Sequence, residues 1–312
     1  MATLRDIRRR IRSVRSTAQI TKTMEMVSAA KLRRAQTVLE SARPYATDLS
    51  AVLANLAEAS GDVSHPAFRK REVRNRAIIL VTSDRGLSGA FNANLVRAAE
   101  ERMREKPQPT TLVLVGKRGF DYFRRRSASV LTSKTDLGGV ANWSYAEETS
   151  RAIMARVDAG EIDEVDLIFT RFKSALSRYV VVEPYLPLSG EAFTKAPGQP
   201  GTSGEARSAL REGRGTSGEN RGASGARRDY IYEPDPGTIL ERIVPYFLAM
   251  RLYMALAESA AAEHGARMIA MGSATKNANE MIQTLTLHMN RTRQATITRE
   301  IVEIVGGAEA LK

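Results

Sequence analysis

A run of 60 residues from Tyr246 to Val305 contains no proline and only two glycines, Gly265 and Gly272. Since proline and glycine are the residues that most often end a helix, the run predicts one continuous helix of about 90 Å, at about 1.5 Å per residue. The glycine pair at 306 and 307 predicts where it ends. A helix of this length is not stable as an isolated rod, so the fold must supply a long partner.

The N-terminal segment is the one candidate partner of this kind in the chain. Its apolar residues recur at alternating spacings of three and four, the pattern of a coiled-coil seam, at Leu4, Ile7, Ile11, Val14 and Ala18. The C-terminal run has its own stripe, formed by Leu248, Leu252, Ala255, Ala262, Ala266, Ile269, Ala278, Ile282, Leu285 and Met289. Two such stripes pack against each other. The sequence therefore predicts an antiparallel coiled coil of an N-terminal helix over residues 1–59 and a C-terminal helix over residues 238–312.

The N-terminal seam has a polar interruption. Continuing its frame places Thr21, Glu25 and Ser28 at seam positions, before Leu32 restores an apolar residue. Over the same stretch the apolar side chains move to another face, at Ile20, Met24 and Val27. This shift predicts either a second surface that the helix contacts or a change of seam.

A single proline also lies in the N-terminal helical segment. Pro44 predicts a bend or an interruption, after which the helix resumes through about Ala59.

The middle of the chain, residues 74–192, has the alternation of an α/β domain. Short runs rich in Ile, Leu and Val predict strands at 77–82, 111–115, 165–172 and 179–183, and helical segments are predicted at 92–105, 117–126 and 145–159. Strands that alternate with helices favour a parallel sheet. The last two strands are close enough in sequence to pair directly, so we expect the sheet to end in an antiparallel strand.

Residues 193–228 differ from the rest in composition. They contain eight glycines and two prolines and repeat Gly-Thr-Ser-Gly-Glu at 201 and 215, which predicts a flexible loop. The net charge of +12 is concentrated in two segments, since residues 1–36 contribute +8 and residues 193–228 contribute +4. The remaining chain carries 30 residues of each sign. The central domain therefore has no electrostatic reason to bind a polyanion.

Several classes of site are excluded or unsupported. The chain has no cysteine, which excludes disulfides and thiol chemistry. His65, His264 and His288 have no metal-ligand spacing. No apolar run is long enough to cross a bilayer, and Met1 to Arg15 lacks the apolar core of a signal peptide. We expect no catalytic residues, no metal and no cofactor.

Two glycine-containing segments follow predicted strands. Val115 to Gly119 has neither the spacing nor the hydroxyl of a phosphate-binding loop, so it is interpreted as a strand-to-helix turn. Ser83 to Gly89 could bind an anion through backbone N–H groups. The preferred interpretation is a tight turn in which Asp84 acts as a local cap.

Four long strings carry a resemblance to a known family. They run over Ile11 to Gln36, Ser83 to Asn92, Tyr230 to Pro236, and Asn290 to Thr298 with its continuation Glu303 to Ala308. In these strings the chain resembles the gamma subunit of F-type ATP synthases. The resemblance implies a Rossmann-like central domain, and terminal helices that turn inside a ring of alpha and beta subunits. Rotation of these helices would couple proton flow through a c-ring to ATP synthesis on the beta subunits.

The resemblance also implies contacts for particular residues. Met24 lies in a stretch that family members place against beta, and Arg293 and Gln294 match a pair that hydrogen-bonds a beta loop. Tyr230 and Glu233 match positions that face the c-ring loops. The segment from residue 301 to residue 311 would lie in an apolar bearing of the ring. We further hypothesise that the 193–228 loop contacts the epsilon subunit, the c-ring or anionic lipid.

Two other functions remain open at this point. A coiled-coil adaptor could bind nucleic acid through Arg8, Arg9, Arg10, Arg12 and Arg15 of the N-terminal helix, and would show strong salt dependence. A nucleotide-binding enzyme would need a phosphate loop and an acidic ribose ligand, which the sequence lacks. The resemblance favours a rotor subunit that does not bind nucleic acid. It further implies a peripheral position at the cytoplasmic face of a bacterial inner membrane.

Overall fold

The computed structural model describes residues 4–59, 65–69, 71–126, 128–188 and 235–309. In chain order, the helices are α1 (Leu4–Ala59), α2 (Phe91–Glu105), α3 (Lys117–Arg124), α4 (Trp143–Asp158) and α5 (Pro236–Glu309), with a short 3-10 turn at Pro66–Phe68. The strands are β1 (Arg76–Val81), β2 (Thr110–Val115), β3 (Val130–Lys134), β4 (Glu164–Phe172) and β5 (Arg178–Leu186). The predicted class, α/β with long terminal helices, is confirmed.

Helix α5 extends beyond the proline-free run from Tyr246 to Val305 at both ends. Helix α5 has 74 residues, about 110 Å at the usual rise. It begins at Pro236, where Asp235 accepts hydrogen bonds from the backbone N–H and the hydroxyl of Thr238 at 2.9 and 2.8 Å. A proline at the first helical position lacks only an N–H group that would have no partner inside the helix. This capped start places Pro245 inside α5.

Two of the predicted helix breaks are absent. Helix α1 continues through Pro44, so the expected interruption is wrong. The expected stop at Gly306 is also wrong, because α5 remains helical to Glu309. Glycine ends a helix when it adopts a positive φ, and Gly306 is not among the positive-φ residues.

The central domain is built on a five-stranded sheet in the order β3-β2-β1-β4-β5. Strands β1 to β4 are parallel, and β5 pairs antiparallel with β4 as expected. The predicted parallel sheet with an antiparallel edge is therefore confirmed. The other edge strand, β3, was not predicted, because Val-Leu-Thr-Ser-Lys has only two large apolar residues.

Alternate residues of the central strands face two different cores, as the two-residue period of a strand requires. Ile79 and Val113 point toward α4, the first half of α5 and the end of α1, while Ile78 and Leu112 point toward α2, α3 and other residues of α1 and α5. All six residues of β1 are buried. Because both cores include residues of α1 and α5, the coiled coil is anchored in the central domain.

Candidate functional site

The seam between α1 and α5 contains a polar layer at the interruption found in the sequence. Thr21 and Ser28 are both buried, so the seam keeps its frame. Thr275 donates a hydrogen bond to the Thr21 hydroxyl across the helix pair at 2.8 Å. Next to it, Glu25 packs on Gly272, where an added Cβ would meet the Glu25 carboxyl carbon at 3.5 Å. The alternative of a change of seam is therefore wrong.

The apolar stripe beside this layer faces away from α5. Ile20 is 57% exposed and Val27 is 51% exposed, while Met24 between them is half-buried. Met26 is 56% exposed on a neighbouring position of α1. An exposed apolar stripe on an otherwise charged helix is typical of an interaction surface.

The register of the pair leaves the end of α5 without a partner in α1. The hydrogen bond between Thr275 and Thr21 sets the register of the antiparallel pair. Leu4, the first residue of α1, lies seventeen positions before Thr21, so it is level with the residue seventeen positions after Thr275, which is about residue 292. We call residues 293–309 the overhang. It extends about 25 Å beyond the level of Leu4. Every residue from 293 to 306 is exposed.

The overhang carries two of the residues singled out by the resemblance. Arg293 and Gln294 lie at its base and are exposed. Large apolar side chains follow them and are also exposed, at Ile297, Ile301, Val302, Ile304 and Val305. Met24 lies level with about residue 272 in the register described above, so about 30 Å of helix separates it from Arg293. The structure therefore places these predicted contacts at two heights of the same rod, and Tyr230 and Glu233 lie outside the described residues.

Where α5 packs on the central domain, charged residues clamp the helix to it. Arg267 donates to the Glu263 carboxylate at 2.6 Å, and both side chains are only 8% exposed. The same guanidinium donates to the carbonyl oxygens of Gly86 at 3.1 Å and Arg85 at 3.2 Å. Burial raises the pKa of Glu263, and the Arg267 charge opposes that rise. This clamp was not predicted, although the Glu-x-x-x-Arg spacing inside an alanine-rich helix is a signal that could have indicated it.

His264 belongs to the same clamp. Its Nε2 lies 3.1 Å from the carbonyl oxygen of Gly139. Burial lowers the pKa of His264 to about 4, against the favourable Gly139 contact. The imidazole is therefore neutral near pH 7. Gly139 has a φ of 72° and lies so close to the ring that an added Cβ would be 2.9 Å from it, so only glycine fits here.

The segment from Ser83 to Gly89 connects the clamp to the sheet. Asp84 accepts backbone hydrogen bonds at 3.0 Å from Lys117, Asp136 and Gly138. It therefore joins loops that are far apart in sequence, and the prediction of a local cap is wrong. Because the carbonyl groups of residues 85 and 86 face Arg267, this part of the turn presents hydrogen-bond acceptors to a cation of α5.

The other predicted turn has a packing role. At Gly116, with a φ of 89°, an added Cβ would lie within van der Waals overlap of the Thr82 carbonyl. The Gly119 N–H donates to the Thr82 hydroxyl at 2.9 Å. These contacts fit the predicted strand-to-helix turn.

The described residues show no cluster of acidic, histidine or cysteine side chains that could hold a metal ion. In the same part of the chain, no helix is long and apolar enough to cross a membrane. The fold is that of a long two-helix rod anchored in an α/β domain, which defines a shaft-like class of protein.

Comparisons with known proteins identify the family. The family model described as ATP synthase matches residues 3–311. The ATP synthase gamma chains of Moorella thermoacetica and Desulforamulus reducens are 45% and 43% identical to this chain, with 100% of each chain covered. The chain therefore belongs to the ATP synthase gamma chain family, as the sequence resemblance predicts. A gamma chain is a non-catalytic subunit of the complex, so that expectation is confirmed by the family.

Solved structures show the same fold. A chain of the Euglena gracilis mitochondrial ATP synthase (OSCP/F1/c-ring, rotational state 3) matches with a TM-score of 0.64 at 21% identity, covering 99% of this chain and 94% of that chain. A chain of the rotor of the same synthase in rotational state 1 matches with a TM-score of 0.60 at 20% identity, covering 94% and 98%. Neither the family nor these matches support the nucleic-acid-binding alternative.

Proposed function

We propose that this chain is the central shaft of a rotary ATP synthase. It turns inside a ring of alpha and beta subunits and couples proton flow through a c-ring to the synthesis or hydrolysis of ATP. The observation that carries the proposal is the overhang of α5, which extends past the start of α1 with every residue from 293 to 306 exposed. Family membership and the rotor-like fold support it.

We propose two contacts with beta, at different positions along the shaft. Arg293 and Gln294 at the base of the overhang bind a loop of beta, since a guanidinium presents a fork of donors to carboxylate or carbonyl oxygens. Met24, on the exposed stripe with Ile20 and Val27, forms an apolar contact with beta about 30 Å away along the rod. The apolar tip beyond Arg293 lies in a bearing of the ring. Two separated contacts resist tilting of the shaft better than one.

The test uses the assembled complex with Arg293→Ala and Gln294→Ala combined. ATP-driven proton pumping per unit of enzyme should fall about tenfold, because a hydrogen bond to a charged group contributes about 1.5–3 kcal/mol. Arg291→Ala is the matched control, since Arg291 is also an exposed arginine of α5. Equal pumping by the double variant and the control would remove this contact from the proposal.

The central domain is proposed to face the membrane. Tyr230 and Glu233 contact the c-ring loops, and the epsilon subunit binds the same end of the shaft. The 193–228 loop contacts epsilon, the c-ring or anionic lipid. This arrangement places the chain peripherally at the cytoplasmic face of a bacterial inner membrane, held through the c-ring. Deleting residues 195–227 should change the ATPase rate of the complex, and an unchanged rate with unchanged synthesis would show that the loop is passive.

A further inference from the structure

A cavity of about 230 Å³ lies where the coiled coil joins the central domain. Three elements form it: α1, the loop from residue 138 to residue 141, and α5. It is separate from the overhang and from the exposed stripe at Met24. Nothing in the shaft function described above requires a cavity at this junction.

The inner walls of the cavity are apolar and uncharged. Ala257 and Ala260 of α5 are buried and form one side, and Ala35 and Val38 of α1 form another. His264 adds a ring that is neutral near pH 7, because burial lowers its pKa to about 4. Such walls favour an apolar ligand body and disfavour a buried ion.

The exposed lining residues have the opposite character. Lys31 and Arg34 lie one turn apart on α1 and are both exposed, and Val140 is 65% exposed beside them. Side chains at spacing three share one face of a helix. Glu263, the buried acid beside His264 in sequence, is paired with Arg267 at 2.6 Å. The mouth is therefore cationic while the interior is apolar.

We infer that this cavity binds a small amphipathic carboxylate, a medium-chain fatty acid, with its chain between α1 and α5 and its carboxylate at Lys31 and Arg34. The size agrees with such a ligand, because one water takes about 30 Å³ in the liquid and the cavity holds about seven or eight groups of that size. A phosphate fits less well, since its compact charge would leave the apolar walls unfilled. The bound ligand links the shaft to the 138–141 loop.

The sole tryptophan of the chain gives a direct readout. Trp143 follows the cavity residue Ala141 by two positions. Octanoate titrated into the full-length chain should change Trp143 fluorescence and give saturable one-site binding by calorimetry. Octanol and octylammonium are the matched probes, and each should bind at least about tenfold more weakly, since one charge-assisted contact corresponds to about one decade in affinity.

Substitutions test the cationic mouth and the apolar interior of the cavity separately. Lys31→Gln combined with Arg34→Gln should weaken octanoate binding about tenfold or more and leave octanol binding unchanged. Arg33→Gln is the control, because Arg33 is exposed on α1 but does not line the cavity. Ala35→Leu should reduce the affinity for all three probes by filling the interior. Lys31 and Arg34 are exposed, so their replacement does not put folding at risk.

Three results would overturn the inference. One is the absence of saturable octanoate binding to the wild-type chain. Another is octanol binding as tightly as octanoate. The third is equal octanoate affinity in the Lys31/Arg34 double variant and in the Arg33→Gln control.

Discussion

Two stretches of α5, each fourteen residues long, have opposite surroundings. From Met254 to Arg267 every residue is buried, whereas from Arg293 to Gly306 every residue is exposed. The buried stretch is rich in alanine, which lets α1 and the sheet approach α5 closely from several sides. The exposed stretch has larger apolar side chains, including Ile301 and Val305, that nothing in the described residues covers. The first stretch is thus held by its own chain, whereas the described residues leave the second uncovered.

The contrast also concerns charge. Buried charges in the first stretch are paired, as Arg267 and Glu263 are at 2.6 Å. In the exposed stretch the Arg299–Glu303 pair, at 2.9 Å, is 82% and 63% exposed, and such pairs contribute little to stability. Breaking a pair should therefore lower the free energy of unfolding by very different amounts in the two stretches of the same helix.

The largest effect is expected at the clamp. Arg267→Met leaves the buried Glu263 carboxylate without its cation, which should lower the free energy of unfolding by about 3–5 kcal/mol. Arg291→Met, at an exposed position of the same helix, should stay within about 0.5 kcal/mol of the wild type. Urea denaturation of both variants measures the difference.

A second substitution sharpens this result. Replacing both members of the pair, as Arg267→Met with Glu263→Leu, removes the unpaired charge and should recover most of the lost stability. If Arg267→Met alone lowered the free energy of unfolding no more than Arg291→Met does, the clamp would not account for a difference between the two stretches.

A fall in pH should lower the free energy of unfolding through His264, which lies in the buried stretch. Its folded-state pKa is lowered to about 4 from the ordinary 6.5 by burial. Between those values the unfolded chain takes up a proton that the folded chain does not, so the free energy of unfolding falls as the pH falls. Burial raises the pKa of Glu263, which acts in the opposite direction, and the nearby cations Arg267 and Lys31 add to the lowering of the His264 pKa. His264→Gln isolates the histidine and keeps a donor for the Gly139 carbonyl.

The measurement is the unfolding free energy of the wild type and of His264→Gln at pH 6.5 and pH 5. Relative to the variant, the wild type should lose about 1.5 kcal/mol over this interval. His288→Gln is the control, since His288 is exposed on the same helix. A parallel pH dependence of the wild type and His264→Gln would contradict the neutral, buried state of this ring.

The sequence predicted that α5 is one long helix, but not how its buried stretch is held. The period of the apolar residues and the absence of proline define a helix, so α5 and its partner could be expected. The Glu263–Arg267 pair could be expected from its spacing, but its attachment to the central domain could not, because Arg267 reaches the carbonyl groups of residues 85 and 86, about 180 residues away in sequence. Such contacts leave no periodic signal. Strand β3 was missed for a related reason, since an edge strand needs few apolar residues.

Local rules failed where tertiary context overrides them. Proline is expected to break a helix, yet α1 continues through Pro44 and is held on α5 by Leu39 and Ala46 on either side, which are each only 2% exposed. The residue contacts given by the resemblance, at Met24, Arg293 and Gln294, stay predictions. A contact with a partner chain requires an accessible side chain, and all three residues are exposed or partly exposed.

The smallest expected effect concerns the polar layer between the two stretches. Thr275 has one hydroxyl proton, which it shares between Thr21 at 2.8 Å and the carbonyl of Met271 at 2.9 Å. Thr275→Val should cost about 0.5–1 kcal/mol, because the Thr21 oxygen loses a donor in a buried seam. Thr21→Val with Thr275→Val replaces both partners by groups of the same shape. The double variant should return to within about 0.5 kcal/mol of the wild type.

A double-mutant cycle by urea denaturation gives the coupling between Thr21 and Thr275 directly. Thr23→Val is the matched control, since Thr23 is exposed on α1 and donates only to the Gln19 carbonyl, at 2.9 Å. Combined with Thr275→Val, it should show no coupling. If Thr21 and Thr275 were equally uncoupled, the layer would contribute no pairing between the helices.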